Sequence, residues 1–239
     1  MRIIATLPTY NEAENIAPLI DEILGLGDEY EALVIDDDSP DGTWKIVQDK
    51  QLTNPRVHLL RRIGRRGRGT AGLEGFLNAK NELNADIVIE MDADFSHAPR
   101  FIPSLVAPIR DGETDIVIGS RLVKNGGEVG RSPIRKYITL GANAYIRMML
   151  GLSIHDCTSG FRGFSRQALN TLEWDKMQCS GPEIVQEILA NAKCHNLRMT
   201  ERPILFEERR AGSSTFNAKI MLRSLLYMWK LRARARHNH

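Results

Sequence analysis

The sequence predicts an α/β fold: a mostly parallel, Rossmann-like, doubly wound sheet flanked by helices. Three observations carry the prediction. Apolar runs of strand length recur at residues 2–7, 32–35, 57–60, 87–91 and 114–121, with helix-length segments between them. Such alternation reads as successive βαβ units, which build parallel sheets. The runs at 32–35 and 87–91 are near-continuously apolar, as strands covered on both faces require. Those same two strands end in acids, and in an open α/β sheet ligands collect outside the carboxyl ends of the strands. With 239 residues, 42% of them hydrophobic, the chain fills one large domain or a domain with a C-terminal appendage.

The first strand runs into Pro8-Thr9-Tyr10-Asn11-Glu12 and then a helix to about residue 26. Asn11 is the expected N-cap, and Glu12 and Glu14 suit the positive end of the helix dipole. Functionally, Pro8 and Tyr10 would wall a base pocket, with Glu12 meeting ribose or base. The second strand ends in Asp36-Asp37-Asp38 followed by Ser39-Pro40-Asp41-Gly42-Thr43. Three adjacent carboxylates repel one another unless donors or cations sit among them; a ribose and a purine edge would serve, and so would solvent.

After the third strand, residues 61–72 hold five arginines among glycines, a composition suited to closing over a pyrophosphate. A nucleic-acid contact is disfavoured, because no aromatics interleave the arginines and a helix at 71–84 follows at once. As a dinucleotide fingerprint the glycines fail, being preceded by arginines and not by a strand end.

The organising stretch is Asp86 to His97, an apolar strand leaving on Asp92-Ala93-Asp94. Two hard carboxylates one residue apart outline a site for a divalent cation against nucleotide phosphates; an acidic turn capping the next helix has the same letters. Phosphatases of the haloacid-dehalogenase type also place D-x-D after a strand, but usually on their first strand, and here two strand-like segments precede it.

Beyond the helix at 99–111 and the strand at 114–121 the chain turns basic. Residues 1–120 carry 12 Lys and Arg against 21 Asp and Glu, and residues 121–239 carry 20 against 9. An acidic half suits a cation, and a basic half suits phosphate or an anionic membrane; a long acidic helix and a basic tail would produce the same split. A helix opened by Arg131-Ser132-Pro133 and running over 135–150 carries Arg135, Lys136 and Arg147 among apolar residues, as an interfacial helix does. A polar loop at 156–164 enters a strand, a helix follows at 182–193, and another strand lies around 203–206. The final basic amphipathic helix, 218–235, is expected either to anchor peripherally to a membrane or to pack on the domain. Three cysteines without C-x-x-C spacing suggest neither a disulfide framework nor a zinc site. The N-terminus does not read as a signal peptide and no apolar run approaches the roughly 20 residues that span a bilayer, so a cytoplasmic setting is expected.

Several motifs appear together in order: Pro8 to Glu12, Ile35-Asp36-Asp37 with Ser39-Pro40-Asp41-Gly42-Thr43, Gly67 to Ala71, Met91 to His97, Gly119-Ser120-Arg121, Gly141-Ala142-Asn143, and Thr158 to Arg162. On these the chain resembles the dolichol-phosphate (polyprenol-phosphate) mannose synthases, within the inverting family-2 glycosyltransferases of the GT-A fold, up to about Thr215. The resemblance implies a catalytic domain over 1–215, followed by a basic helix and tail over 216–239. It implies that Pro8, Tyr10, Glu12, Ile35 and Asp37 hold the guanosine of GDP-mannose, and that Asp92 and Asp94 carry Mg²⁺ or Mn²⁺ against the pyrophosphate with Ala93 close by. Arg121, Arg135, Thr139 and Arg209 would receive the acceptor phosphate and the departing diphosphate. A polyprenyl monophosphate is already anionic, so no dedicated base is expected and neither His97 nor His155 need be one. Two departures stand out. Some relatives carry Gln where this chain has Ser96, and many carry Lys where it has Thr215, a loss for which Arg210 or Lys219 would substitute. The expected setting is the cytoplasmic face of a membrane, alone or with an anchoring subunit, and with no nucleic-acid partner. The alternatives are another donor such as UDP-glucose, or a protein that binds sugar nucleotides without turnover.

Overall fold

The structure is a computed structural model describing residues 1–130, 132–207 and 226–233. Its main sheet has seven strands in the order β3-β2-β1-β4-β7-β5-β8. The strands are β1 (Ile3–Thr9), β2 (Tyr30–Asp36), β3 (Val57–Arg61), β4 (Ile87–Glu90), β5 (Ile116–Ser120), β7 (Arg162–Ser165) and β8 (Met199–Pro203); a two-residue pair, β6 (Gly127–Glu128) with β9 (Leu205–Phe206), lies apart. The helices are α1 (Ala13–Leu24), α2 (Thr43–Thr53), α3 (Arg68–Asn81), α4 (Ile102–Arg110), α5 (Pro133–Leu150), α6 (Arg166–Thr171) and α7 (Ile184–Cys194).

Successive residues of β1 serve opposite faces, as the two-residue period of a strand demands. Ile3, Ala5 and Leu7 pack in one core with Ile16, Leu19, Ile20 and Ile23 of α1 and with α4, while Ile4 joins the other core with α3, α5, α6 and α7. In α1 the spacing of those four residues is the i, i+3, i+4, i+7 stripe that one helix face buries. Both faces of the sheet are therefore covered, which accounts for the unbroken apolar runs.

From β1 the chain steps outward to β2 and β3, then returns to β4 on the other side of β1, all four parallel. The strand order thus reverses at β1, and ligands of an open α/β sheet collect outside the carboxyl ends of the strands at such a switch point. One strand departs from the parallel expectation: β7 enters between β4 and β5 antiparallel to both. Its register sets Arg162 opposite Glu90, and the two side chains, 0% and 2% exposed, pair inside the sheet.

The structure corrects the N-cap of α1. Asn11 takes a left-handed φ of 60° and the N-cap position falls to Glu12, with no side-chain cap of its own. The first amides are capped from the neighbouring acidic loop instead: Glu12 N donates to Thr43 Oγ1 and Ala13 N to Asp41 Oδ2, each at 3.0 Å. Helix α6, absent from the sequence pattern, begins with Ser165 Oγ accepting from Ala168 N. Of the expected C-terminal helix only 226–233 lies within the described residues. That segment is helical and packs on the domain, with Met228 and Leu231 buried in the α5 core. No helix among the described residues is long and apolar enough to cross a membrane.

Candidate active site

The acidic run at the end of β2 meets donors from its own chain. Asp36 accepts from Thr9 Oγ1 at 2.9 Å and from the Ser39 amide and hydroxyl at 2.8 and 2.6 Å, which binds the ends of β1 and β2 together. Asp38 takes Arg61, whose guanidinium lies 3.4 Å over the Trp44 ring. Asp37 accepts the Gly67 amide at 2.8 Å and has Arg62 Nη1 3.0 Å away. Burial pushes the Asp37 carboxyl up, against the opposing pull of the Gly67 amide and Arg62.

Asp37 therefore holds the arginine-glycine loop by its backbone, and the five arginines separate. Arg61 and Arg62 turn to the acids of β2, and Arg65 reaches Glu74. Arg66 stacks 3.6 Å over the Tyr10 ring, and Arg68 grips Asp92 through Nε at 3.1 Å and through Nη2. Asp92's charge pushes the Arg68 guanidinium's pKa up, against the opposing push of burial. Arg66 and Arg68 are individual cleft residues that the sequence pattern marked only as members of a basic group; their position beside the start of α3 was the available signal.

The D-x-D turn is braced from beneath. His97 Nδ1 accepts the Asp92 amide at 3.0 Å, so its proton sits on Nε2, and the ring stacks on Phe161 with centroids 5.0 Å apart. Burial pushes its pKa down against Asp92 and Asp94, and the ring is neutral. Phe95 takes a φ of 63°, turning the chain so that the Ser96 amide and hydroxyl reach Asp94 Oδ1 at 3.0 and 2.6 Å.

Between these elements lies a cleft of about 320 Å³. Pro8, Thr9, Tyr10, Glu12 and Asp37 line one side; Arg66, Gly67, Arg68 and Ala71 form the arginine loop; Asp92, Ala93 and Asp94 close it. Seven of the residues expected to touch nucleotide or metal thus meet in one wall. Ile35 is not among them, for its side chain is fully buried against α3, where a Cβ on Gly75 would lie 2.8 Å from Ile35 Cδ1.

Of the expected phosphate residues, Arg121, Arg135 and Thr139 are not part of the cleft wall. Arg121 is bound edge-on by Asp156 through Nε and Nη2, both at 2.7 Å, with Glu128 at 3.3 Å and Thr158 at 2.8 Å. Burial pushes the Asp156 carboxyl up, but the hydrogen bonds and charge of Arg121 outweigh it and hold it below the usual carboxylate range. Thr139, on α5, donates to the Arg135 carbonyl at 2.9 Å, and Asn143 Nδ2 bridges the Thr139 carbonyl to Thr158 Oγ1. A polar chain thus runs from α5 to the end of β5. Arg209, Arg210, Thr215 and Lys219 lie outside the described residues.

Asp92 and Asp94 offer hard oxygen donors from a two-residue span, and no group of three or more His, Cys, Asp or Glu side chains disposed to hold a metal occurs among the described residues. That donor set fits a divalent cation which keeps water and takes substrate phosphate oxygens as its remaining ligands, and does not fit a closed structural metal site.

The architecture is shared with solved enzymes. Glucosyl-3-phosphoglycerate synthase of Mycobacterium tuberculosis, solved with Mn²⁺, UDP-glucose and glycerol 3-phosphate, superposes with a TM-score of 0.69 at 21% identity, over 98% of this chain and 79% of that one. The likeness is one of fold, and the sheet is that of the GT-A class. Residues 5–173 match Glycosyl transferase family 2, and the chain belongs to that family. The undecaprenyl-phosphate mannosyltransferase of Micrococcus luteus is 34% identical over 236 residues, 98% of this chain and 96% of that protein. The polyprenol monophosphomannose synthase of Mycolicibacterium smegmatis is 33% identical over 237 residues, 98% and 88% of the two chains. The dolichol-phosphate mannosyltransferase of Pyrococcus furiosus is 36% identical over 236 residues, covering 97% of this chain and 64% of that longer one.

Proposed function

We propose that this glycosyltransferase moves mannose from GDP-mannose to a polyprenyl monophosphate at a membrane surface, with inversion and with Mg²⁺ or Mn²⁺. The observation that carries the reading is the meeting of Tyr10, Asp37 and the D-x-D in one cleft, in a chain whose near-full-length relatives are polyprenyl-phosphate mannosyltransferases.

A planar base fits against Tyr10 and Pro8, with Asp37 accepting from its edge. Guanine presents N1–H beside an exocyclic amine, two donors for one carboxylate, whereas uracil presents a single N–H between two carbonyls that repel it. A cation held by Asp92 and Asp94 would, when bound, offset the charge that develops on the departing diphosphate. Ser96 keeps Asp94 in place for this, and His97 does the same for the Asp92 backbone. Arg66 and Arg68 stand where a diphosphate would need donors. Arg121 and Arg135, with Thr139, belong to the side from which the acceptor phosphate arrives, and Arg209 is assigned to the diphosphate on the resemblance alone. An anionic phosphate oxygen attacks C1 directly, so a neutral, buried His97 has no proton to remove.

Helix α5 favours the membrane. It buries Asn143, Ile146, Met149 and Leu150 and presents Ile134, Tyr137, Leu140 and Met148 on the opposite side. Leu226 and Trp229, from the segment packed on the α5 core, are exposed as well. With Lys136, Lys230 and Arg232 nearby in sequence, this is the composition of a surface that lies on anionic lipid.

The test is transfer of radiolabelled sugar from GDP-mannose, and in parallel from UDP-glucose, to a polyprenyl phosphate in detergent with Mn²⁺. Chelator-sensitive labelled lipid from GDP-mannose is expected. Label from UDP-glucose alone overturns the donor, and binding of GDP without product from either overturns the reaction.

A further inference from the structure

Three features surround the contact between Arg68 and Asp92 that the proposed chemistry does not itself require. Arg68 places both Nε and Nη2 on the same oxygen, Asp92 Oδ1, one of the two carboxylates assigned to the cation. The guanidinium occupies a seat against Gly160: a Cβ there would stand 2.8 Å from Arg68 Nη2, so the end of the arginine would have to shift. The backbone on either side is tied down, since the Gly67 amide is held by Asp37 at 2.8 Å and the Gly69 amide by the Ser180 carbonyl at 3.1 Å. Arg68 is thus an arginine seated on the D-x-D.

We infer that Arg68 is a positioning residue that stands in for the cation at Asp92 and makes cation binding depend on the nucleotide. The inference rests on the donor reading above. A divalent cation arriving alone must displace a fixed positive charge from Asp92 and leave that charge unpaired beside it, which opposes binding. A nucleoside diphosphate changes the balance, because its phosphate oxygens offer the guanidinium a new bidentate partner in the same cleft. Once Arg68 has moved to the diphosphate, Asp92 is released to the cation. Cation and donor then enter as a coupled pair, and by linkage each tightens the other by the same factor.

The experiment measures Mn²⁺ binding to the full chain by the electron paramagnetic resonance signal of free Mn²⁺, with and without saturating GDP. Wild type is compared with Arg68→Gln, which removes the charge, and Gly160→Ala, which keeps the arginine and fills its seat. In the wild type GDP should tighten Mn²⁺ by at least about tenfold, within the usual range of site-to-site coupling. In Arg68→Gln, Mn²⁺ affinity without nucleotide should rise by about tenfold and the GDP effect should shrink by a similar factor, the rest of the coupling coming from the phosphate oxygens the cation takes directly. Gly160→Ala should shift nucleotide-free affinity in the same direction. Mn²⁺ affinity unchanged or weaker in both folded variants, with wild-type coupling intact, overturns the role of Arg68 and leaves the donor reading standing. A wild-type chain that binds neither GDP nor Mn²⁺ overturns both.

Discussion

Glu90 lies two residues before Asp92 and faces Arg162 across the antiparallel pair of β4 and β7. Arg162 Nε donates to Glu90 Oε2 at 3.0 Å and Nη2 to the same oxygen, while Nη1 donates to the Val185 carbonyl at 3.2 Å. Replacing Glu90 by Leu strands a guanidinium that cannot shed its proton inside a sheet covered on both faces. Breaking such a pair from one side costs about 3–5 kcal/mol, a large part of the roughly 5–15 kcal/mol that a domain has in all. At about 2–4 °C per kcal/mol for a chain of this size, Tm should fall by roughly 6–20 °C. Arg162→Met alone should also destabilise, whereas the double variant Glu90→Leu/Arg162→Met should regain most of the loss, because apolar side chains of similar volume replace a buried pair at little cost. Urea denaturation followed by tryptophan fluorescence measures all four corners of the cycle, and buried Trp174, stacked on Phe76, reports on the core. A Glu90→Leu cost below about 1 kcal/mol, or a double-variant loss equal to the sum of the singles, would refute the argument.

Asp94→Asn keeps an acceptor for Ser96 while removing the charge, so melting should barely change and the initial transfer rate should fall by roughly three orders of magnitude, by analogy with the loss of one preorganised electrostatic group; near-normal turnover would remove Asp94 from the cation site. Asp115 and Asp156 are held below the usual carboxylate range by Arg198 and Arg121, and Glu31 by Arg2 and His58 against the upward push of burial. Their contribution is therefore fully present above the unfolded-state values near pH ~4 and disappears as pH falls through the lower folded-state values; an acid titration of stability should be flat above pH ~5 and drop steeply below ~4, less steeply in Asp115→Asn. Serine at Ile134, Tyr137 and Trp229 together should abolish flotation with anionic vesicles without lowering Tm, and unchanged flotation would exclude this face as the lipid contact.

The acid-terminated strands were legible because the evidence for them is local. An apolar run of four to seven residues followed by carboxylates encodes its own burial and its own exit from the sheet, which is why 32–36 and 87–90 read correctly as strands with acids at their ends. That the Tyr10 turn and the D-x-D face one crevice is not local: β1 and β4 are separated in the chain by two strands and become neighbours only in the sheet. Less legible were the contacts the chain makes with itself. For Asp36, Asp37 and Asp38 a ribose, a purine edge or solvent is expected, and the structure adds Thr9, Ser39, Arg62, Gly67 and Arg61 from the chain. Arg121 is expected at a phosphate by resemblance, and the fold adds Asp156, 35 residues away, which holds its guanidinium.

By itself the sequence determined the strand-helix alternation, the covered sheet, the position of the carboxylate pair and the family motifs, all of which depend on side chains close together in the chain. Only the tertiary structure decided that β7 runs antiparallel, since a strand buried on both faces has the same apolar pattern in either direction. It decided too that α1 is capped by Asp41 from another loop, that Ile35 belongs to the core, and that of five adjacent arginines two reach the cleft. Each of these is a pairing between groups tens of residues apart, and a charge or a cap finds its partner by where the backbone delivers it.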